Sequence, residues 1–72
     1  NGKIISISFN KKNLSKKQIL SFYSEFFEEK KWKKYENKNV WETKNKRFKK
    51  KIFKIENFED KVLKIKIIVE NF

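Results

Sequence analysis

Apolar and polar side chains alternate from Ile5 to Phe9, with Ile5, Ile7 and Phe9 on one side and Ser6 and Ser8 on the other. A period of two marks a half-buried strand, and only Ile4 interrupts it. The period then changes. From Ile19 the apolar positions recur as Ile19, Phe22, Tyr23, Phe26 and Phe27, the spacing of a helix that buries one stripe, which Leu20 widens. Ser15, with Gln18 three residues on, forms a capping box ahead of that stripe, and Leu14 is placed to staple onto Ile19. These signals predict a helix capped by Ser15 and ending near Lys30 or Lys31, where cations complement the helix dipole.

Beyond the helix, short runs alternate with turn residues: WKKYE, NKN, VWET and KNK, followed by the longer RFKKKIFKIE and KVLKIKIIVE, which residues 57–60 divide. In the last run Leu63, Ile65, Ile67 and Val69 share one face while Val62, Lys64, Lys66 and Ile68 share the other, the clearest strand in the chain. The run before it is mixed, because Phe48 and Ile52 have one parity and Phe53 and Ile55 the other. A strand there needs a bulge or a change of inward face between Lys50 and Ile52. A helix through Phe48, Ile52 and Ile55 is the alternative; the β-branched and aromatic content and the strong hairpin partner favour the strand. The expected class is α+β, one N-terminal helix packed on a four- or five-stranded antiparallel sheet. The order is strand, helix, then three or four strands, within one small domain spanning residues 1–72.

Composition narrows what such a domain can do. A chain of 72 residues buries only about 60% of its unfolded surface. Leu, Ile, Val and Phe nevertheless number 23, enough to build a core despite a net charge of +11. Cysteine and histidine are absent, which removes disulfides, thiolate zinc sites, Cys nucleophiles and the usual neutral-pH base. No cofactor and no metal site is read from the sequence. The five Ser residues, Thr43, the lysines and the nine carboxylates form no linked nucleophile, base and stabiliser, so no catalytic residue is assigned and no enzyme is expected. Glu28 with Glu29, and Glu59 with Asp60, have Lys neighbours and read as solvated acidic pairs. Apolar runs such as residues 67–69 are far too short to span a bilayer. The chain starts at Asn1 and not at Met, which reads as a trimmed piece from which a signal peptide could have been removed.

The positive charge is unevenly placed. Nineteen of the twenty cations are Lys, which together with abundant Asn, Ile and Phe matches the codon usage of an AT-rich genome. Codon bias should spread lysines evenly, yet residues 32–54 sum to +8 and the rest to only +3. The densest stretch, KNKRFKKKIFK from Lys44 to Lys54, holds seven cations and no acid. If Lys44, Lys46, Arg47, Lys49, Lys50 and Lys51 share one hairpin surface, they form a candidate site for an anionic partner, and a solvated strand face is the plainer reading. Trp41 and Phe48 are candidates for stacking on bases or sugars, against the alternative that Trp32, Tyr35 and Trp41 close the core.

The segment LSKKQILSFYSEFFEEKKWKKYENKNVWE resembles small exported bacterial domains, often found in lipoproteins, whose helix carries a Phe-Tyr pair and exits through Gly-Trp into an antiparallel meander. Phe22 and Tyr23 match the pair, Phe26 or Phe27 takes the place of the usual Leu, Trp32 matches the Trp, and Val40 to Glu42 match the next strand. Lys31 stands where the family has Gly, a residue suited to the left-handed cap that a Lys adopts at some cost. The resemblance covers residues 13–70 in outline. It implies an envelope or extracellular setting, no established enzyme activity and no catalytic residue to carry over.

Three functional expectations follow from these features. The first is a non-enzymatic binding or structural module of the bacterial cell envelope with a basic hairpin face. A nucleic-acid-binding domain using residues 44–54 is the alternative, and an inhibitor or immunity-type protein docking its basic face on an acidic protein surface is the third; a cytoplasmic setting is compatible with either of these two. The partner is therefore expected to be anionic: an envelope polymer, a nucleic acid or an acidic protein. A homodimer through an exposed edge strand is compatible with each, edge lysines being the usual protection against it.

Overall fold

The computed structural model describes residues 2–10, 12–58 and 61–72, so the acidic pair Glu59 and Asp60 lies outside the described residues. The elements are β1 (Gly2–Asn10), α1 (Lys16–Glu29), β2 (Lys33–Lys34), β3 (Val40–Thr43), β4 (Lys50–Phe58) and β5 (Val62–Glu70). All neighbouring strands pair antiparallel in one sheet of order β1-β5-β4-β3-β2, an α+β fold with a single helix over the sheet. The WKKYE run contributes only the two residues of β2, and four strands follow the helix.

Both ends of α1 are closed by local hydrogen bonds. At the N-terminus the Ser15 hydroxyl accepts the Gln18 N–H at 3.2 Å and the Gln18 side-chain Oε1 accepts the Ser15 N–H at 2.8 Å, completing the capping box. At the C-terminus Lys31 takes a left-handed conformation with φ 63°. The Lys31 N–H donates to the Glu28 carbonyl at 3.0 Å and the Trp32 N–H to the Phe27 carbonyl at 2.9 Å. That pair of bonds is the Schellman arrangement, with Lys31 in the left-handed position to which Gly is best suited. The turn reverses the chain and delivers Trp32 back against Phe27, with ring centroids 4.6 Å apart.

The core lies between one face of α1 and the centre of the sheet. It consists of Ile19, Phe27, Trp41, Phe53, Ile55, Leu63 and Ile65, with Ile7, Leu20, Tyr23, Trp32, Phe58 and Ile67 packed around it. Strand register explains this selection. Phe53 is opposite Trp41 on one side and Ile67 on the other, and Ile55 is opposite Ile65, which is opposite Ile7. Odd-numbered residues of β1, β3, β4 and β5 therefore share the helix side of the sheet, up to a register shift between Ile55 and Asn57. Glu56 is the extra residue there, and Phe58 returns to the helix side opposite Leu63.

Two expectations are corrected by this arrangement. The bulge is at Glu56 and not between Lys50 and Ile52, because β4 begins only at Lys50 and leaves Phe48 in the preceding loop. The helical stripe is also narrower than its spacing implies. Ile19, Tyr23 and Phe27 face the sheet, whereas Phe22 and Phe26 remain 63% and 42% exposed. Leu14, placed for a staple, is itself largely exposed beside Ile19.

Candidate anion-binding face

β3 and β4 form a hairpin whose last pair is Thr43 with Lys51, and residues 44–49 form its loop. The loop is held by its own side chains. The Asn45 side-chain Oδ1 accepts the Arg47 N–H at 2.7 Å and the Phe48 N–H at 3.1 Å, the local turn that short Asn side chains favour. Phe48 is half-buried, and the Lys51 ammonium lies 4.8 Å from its ring centroid. The Lys49 N–H donates to the Glu70 carbonyl at 2.8 Å, fastening the end of the loop to β5.

The six basic candidates do not project from one surface. Lys44, Lys46, Arg47 and Lys49 are exposed on the loop. Lys50 is on the sheet face away from α1, opposite Glu70, and Lys51 is on the helix side, opposite Thr43 and Val69. The loop therefore presents four exposed cations on a fastened backbone, flanked by one more on each side of the sheet. Two lysines outside the expected stretch join them. Lys31, Lys33, Glu42, Thr43 and Lys44 line one shallow crevice, because the left-handed turn at Lys31 folds the helix exit towards the same end of the sheet. No spacing rule links Lys31 and Lys33 to Lys44; the register of Lys33 with Glu42 brings them together.

Glu42 is the carboxylate set among these cations. It accepts a hydrogen bond from the Tyr35 hydroxyl, which with Lys50, Lys44 and Lys33 nearby holds its carboxyl below the ordinary range. The same bond, aided by burial, holds the Tyr35 hydroxyl above its ordinary value. Glu42 thus stays ionised and offsets part of the local positive charge while pinning Tyr35.

Trp41, a stacking candidate in the sequence, is a core residue. It is 2% exposed, its ring stacks on Phe27 at 5.1 Å, and the Lys34 ammonium approaches it to 5.9 Å. No face is left to receive a base or sugar. Phe48 keeps some exposure, with the Lys51 ammonium over its ring. Trp32 is half-buried against Phe27. Among the described residues, no three carboxylates gather in a way that would hold a metal ion, and no helix is long and apolar enough to cross a membrane.

Fold and face together define a small α+β domain with a cationic hairpin at one end of its sheet. No family model, no curated protein and no solved structure matches the chain.

Proposed function

We propose that the chain is a non-enzymatic binding module that engages a polyanion through the β3–β4 hairpin end, and that its setting is the bacterial cell envelope. The observation that carries this reading is the built loop, in which the Asn45 side chain accepts two backbone N–H groups and so fastens the backbone from which Lys44, Lys46, Arg47 and Lys49 extend into solvent. A loop with a fastened backbone loses less freedom on binding than a mobile basic arm would. Lys31 and Lys33 extend it along the crevice beside Lys44.

The nature of the face favours a phosphate-bearing polymer over base recognition. Lysine is a point charge suited to phosphate or carboxylate, and groove readout relies more on Arg, Asn and Gln. With Trp41 buried, base stacking at the hairpin would fall to Phe48 alone. The envelope setting rests on the likeness of the Phe22–Tyr23 helix and the Trp32 exit to exported domains.

The test is a titration of the chain against a poly(glycerol phosphate) polymer, a single-stranded oligonucleotide and a duplex, each at about 50 and 200 mM salt. Binding of the phosphate polymer should weaken on the order of 10²–10³-fold across that range if six cations engage. Failure to bind any of the three at the lower salt concentration would sink the proposal. Binding confined to the oligonucleotides would replace the envelope polymer by nucleic acid.

A further inference from the structure

The two edges of the sheet are unlike. β2 is two residues long and both are Lys, a short, charged edge of the kind that discourages strand addition. β1 is nine residues long, carries one Lys, and pairs with β5 without a register shift. Its side chains are exposed at every position except Ile7, which is half-buried. The direction of its free backbone groups follows from the ladder. The Ile55 N–H donates to the Asn39 carbonyl, so odd residues of β4 bond towards β3 and even ones towards β5. Odd residues of β5 then bond β1, where Lys3, Ile5, Ile7 and Phe9 use their backbone groups. Ile4, Ser6 and Ser8 are left directing N–H and C=O groups outward from the open edge.

Apolar side chains flank that edge on both faces of the sheet, Ile4 on the face away from α1 and the others on the helix side. Ile4, Ile5, Phe9, Leu14, Phe22 and Phe26 are exposed by between 39% and 65%. At the roughly 150–250 Å² that a large side chain offers, these fractions amount to on the order of 600 Å² over the two faces beside the edge, against about 800 Å² per partner in a standard interface. A groove of about 400 Å³ runs between β1 and α1, lined by Phe9, Leu14, Ile19, Phe22 and Leu63 among others. Phe26, one turn beyond Phe22, continues the same side of the helix.

We propose that this edge is a homodimer seam, in which two copies pair their β1 strands antiparallel about Ser6 to give a continuous ten-stranded sheet. Charge argues for a second copy. An acidic partner would be drawn to the hairpin, while the strand with a single Lys fits an equally uncharged apolar strand, and this chain supplies one. Pairing about Ser6 sets Ile4 opposite Ser8, Ile5 opposite Ile7 and Lys3 opposite the partner's Phe9. It joins even residues to even ones, matching the outward N–H and C=O groups, keeps both helices on one side, and places no Lys against Lys. It also separates the basic ends. Lys50 is level with Glu70 and Gly2, so the hairpin sits at the Gly2 end of the strands. The antiparallel two-fold axis sends the partner's hairpin to the other end, on the order of a strand length of 30 Å away, well beyond the Debye length of about 8 Å. The exposed Ile5 end of β1 meanwhile receives the end of the partner that carries Phe9 and Leu14.

Sedimentation equilibrium and Cys cross-linking test the seam. The chain should sediment as a dimer, tighter at 0.5 M than at 0.05 M salt, since salt screens the repulsion between two copies of charge +11 (salt levels roughly spanning weak to strong screening). Ser6→Pro removes an outward donor, and Phe22→Lys charges the apolar flank. Each should weaken the dimer at least about tenfold with the circular dichroism of the fold retained. Because the chain has no Cys, a single Ser6→Cys reports register: it should cross-link to itself far faster than Ser24→Cys on the helix. A monomer at high concentration and salt would overturn the proposal. So would a dimer whose Ser6→Cys links no faster than Ser24→Cys, or a monomer that instead takes up an added apolar strand peptide.

Discussion

Trp32 and Phe27 are joined twice, by the Trp32 N–H donating to the Phe27 carbonyl at 2.9 Å and by ring packing at 4.6 Å. Both contacts depend on the left-handed Lys31 between helix and strand. A β-carbon in that conformation costs about 1–2 kcal/mol, so Lys31→Gly should stabilise the fold by about 1 kcal/mol. With a denaturant dependence of about 1 kcal/mol/M for a domain this small, the urea midpoint should rise by about 1 M. An unchanged or lower midpoint would show that the turn carries no such strain.

Phe27 is the hub of the aromatic core, with Trp32, Trp41, Phe53 and Tyr23 ring centroids 4.6–6.2 Å from its own. Truncation to Ala should cost about 3–5 kcal/mol, most of the stability a domain at the lower end of the usual range possesses. Phe27→Ala should lose near-ultraviolet circular dichroism at room temperature. Phe22→Ala, on the exposed side of the same helix, should keep it.

The Tyr35–Glu42 bond sets a pH dependence. The folded carboxyl of Glu42 is held below its unfolded value, so its contribution to stability is full above the ordinary Glu pKa of about 4.3 and is lost as pH falls through the lowered folded value. Glu56, whose carboxylate meets the Lys66 ammonium at 2.9 Å and is likewise lowered, adds to the same acid loss. Thermal midpoints should decline below about pH 4.3, and Glu42→Gln should flatten part of that decline. Tyr35→Phe should move the Glu42 titration, followed by NMR, upwards towards the ordinary value.

The hairpin makes its own prediction about salt. Arg47→Gln should weaken polyanion binding and lower the slope of log affinity against log salt by about 1, as expected when one phosphate contact is lost. Trp41→Phe should reduce stability and leave that slope unchanged, because the indole is in the core. A Trp41→Phe chain with intact stability and lost binding would return the indole to the binding face.

Legibility in the sequence followed the range of the interactions. The capping box of Ser15 and Gln18 and the parity of Leu63 to Val69 are local signals, and both elements appear where the pattern places them. The stripe of α1 is wider in the sequence than in the core because helical spacing reports which residues share a face, not how much of that face the sheet covers; Phe22 and Phe26 fall outside it. The bulge had a signal of its own. Ile55 and Phe58 both turn to the helix side although three residues apart, which requires an extra residue between them. The parity change from Phe48 to Phe53 only marks where the strand begins. For the basic face, charge density located the hairpin, whereas the burial of Trp41 and the approach of Lys31 and Lys33 to Lys44 depend on strand pairing that no local pattern encodes.

With Lys50 level with Gly2, the hairpin cations are gathered at one end of the strands, and the centre of charge is displaced from the centre of mass. A polyanion therefore exerts a torque on the molecule as well as an attraction, turning the hairpin end towards it before contact and standing the strands upright. For a pair of copies joined at β1 the geometry has the opposite outcome to a doubled clamp. Their cationic ends point away from each other along the strands, so a polymer met end-on by one hairpin is out of reach of the other. Such a pair would tether two polymer strands, and its signature would be cross-linking that peaks at intermediate protein concentration and disappears when every strand is saturated.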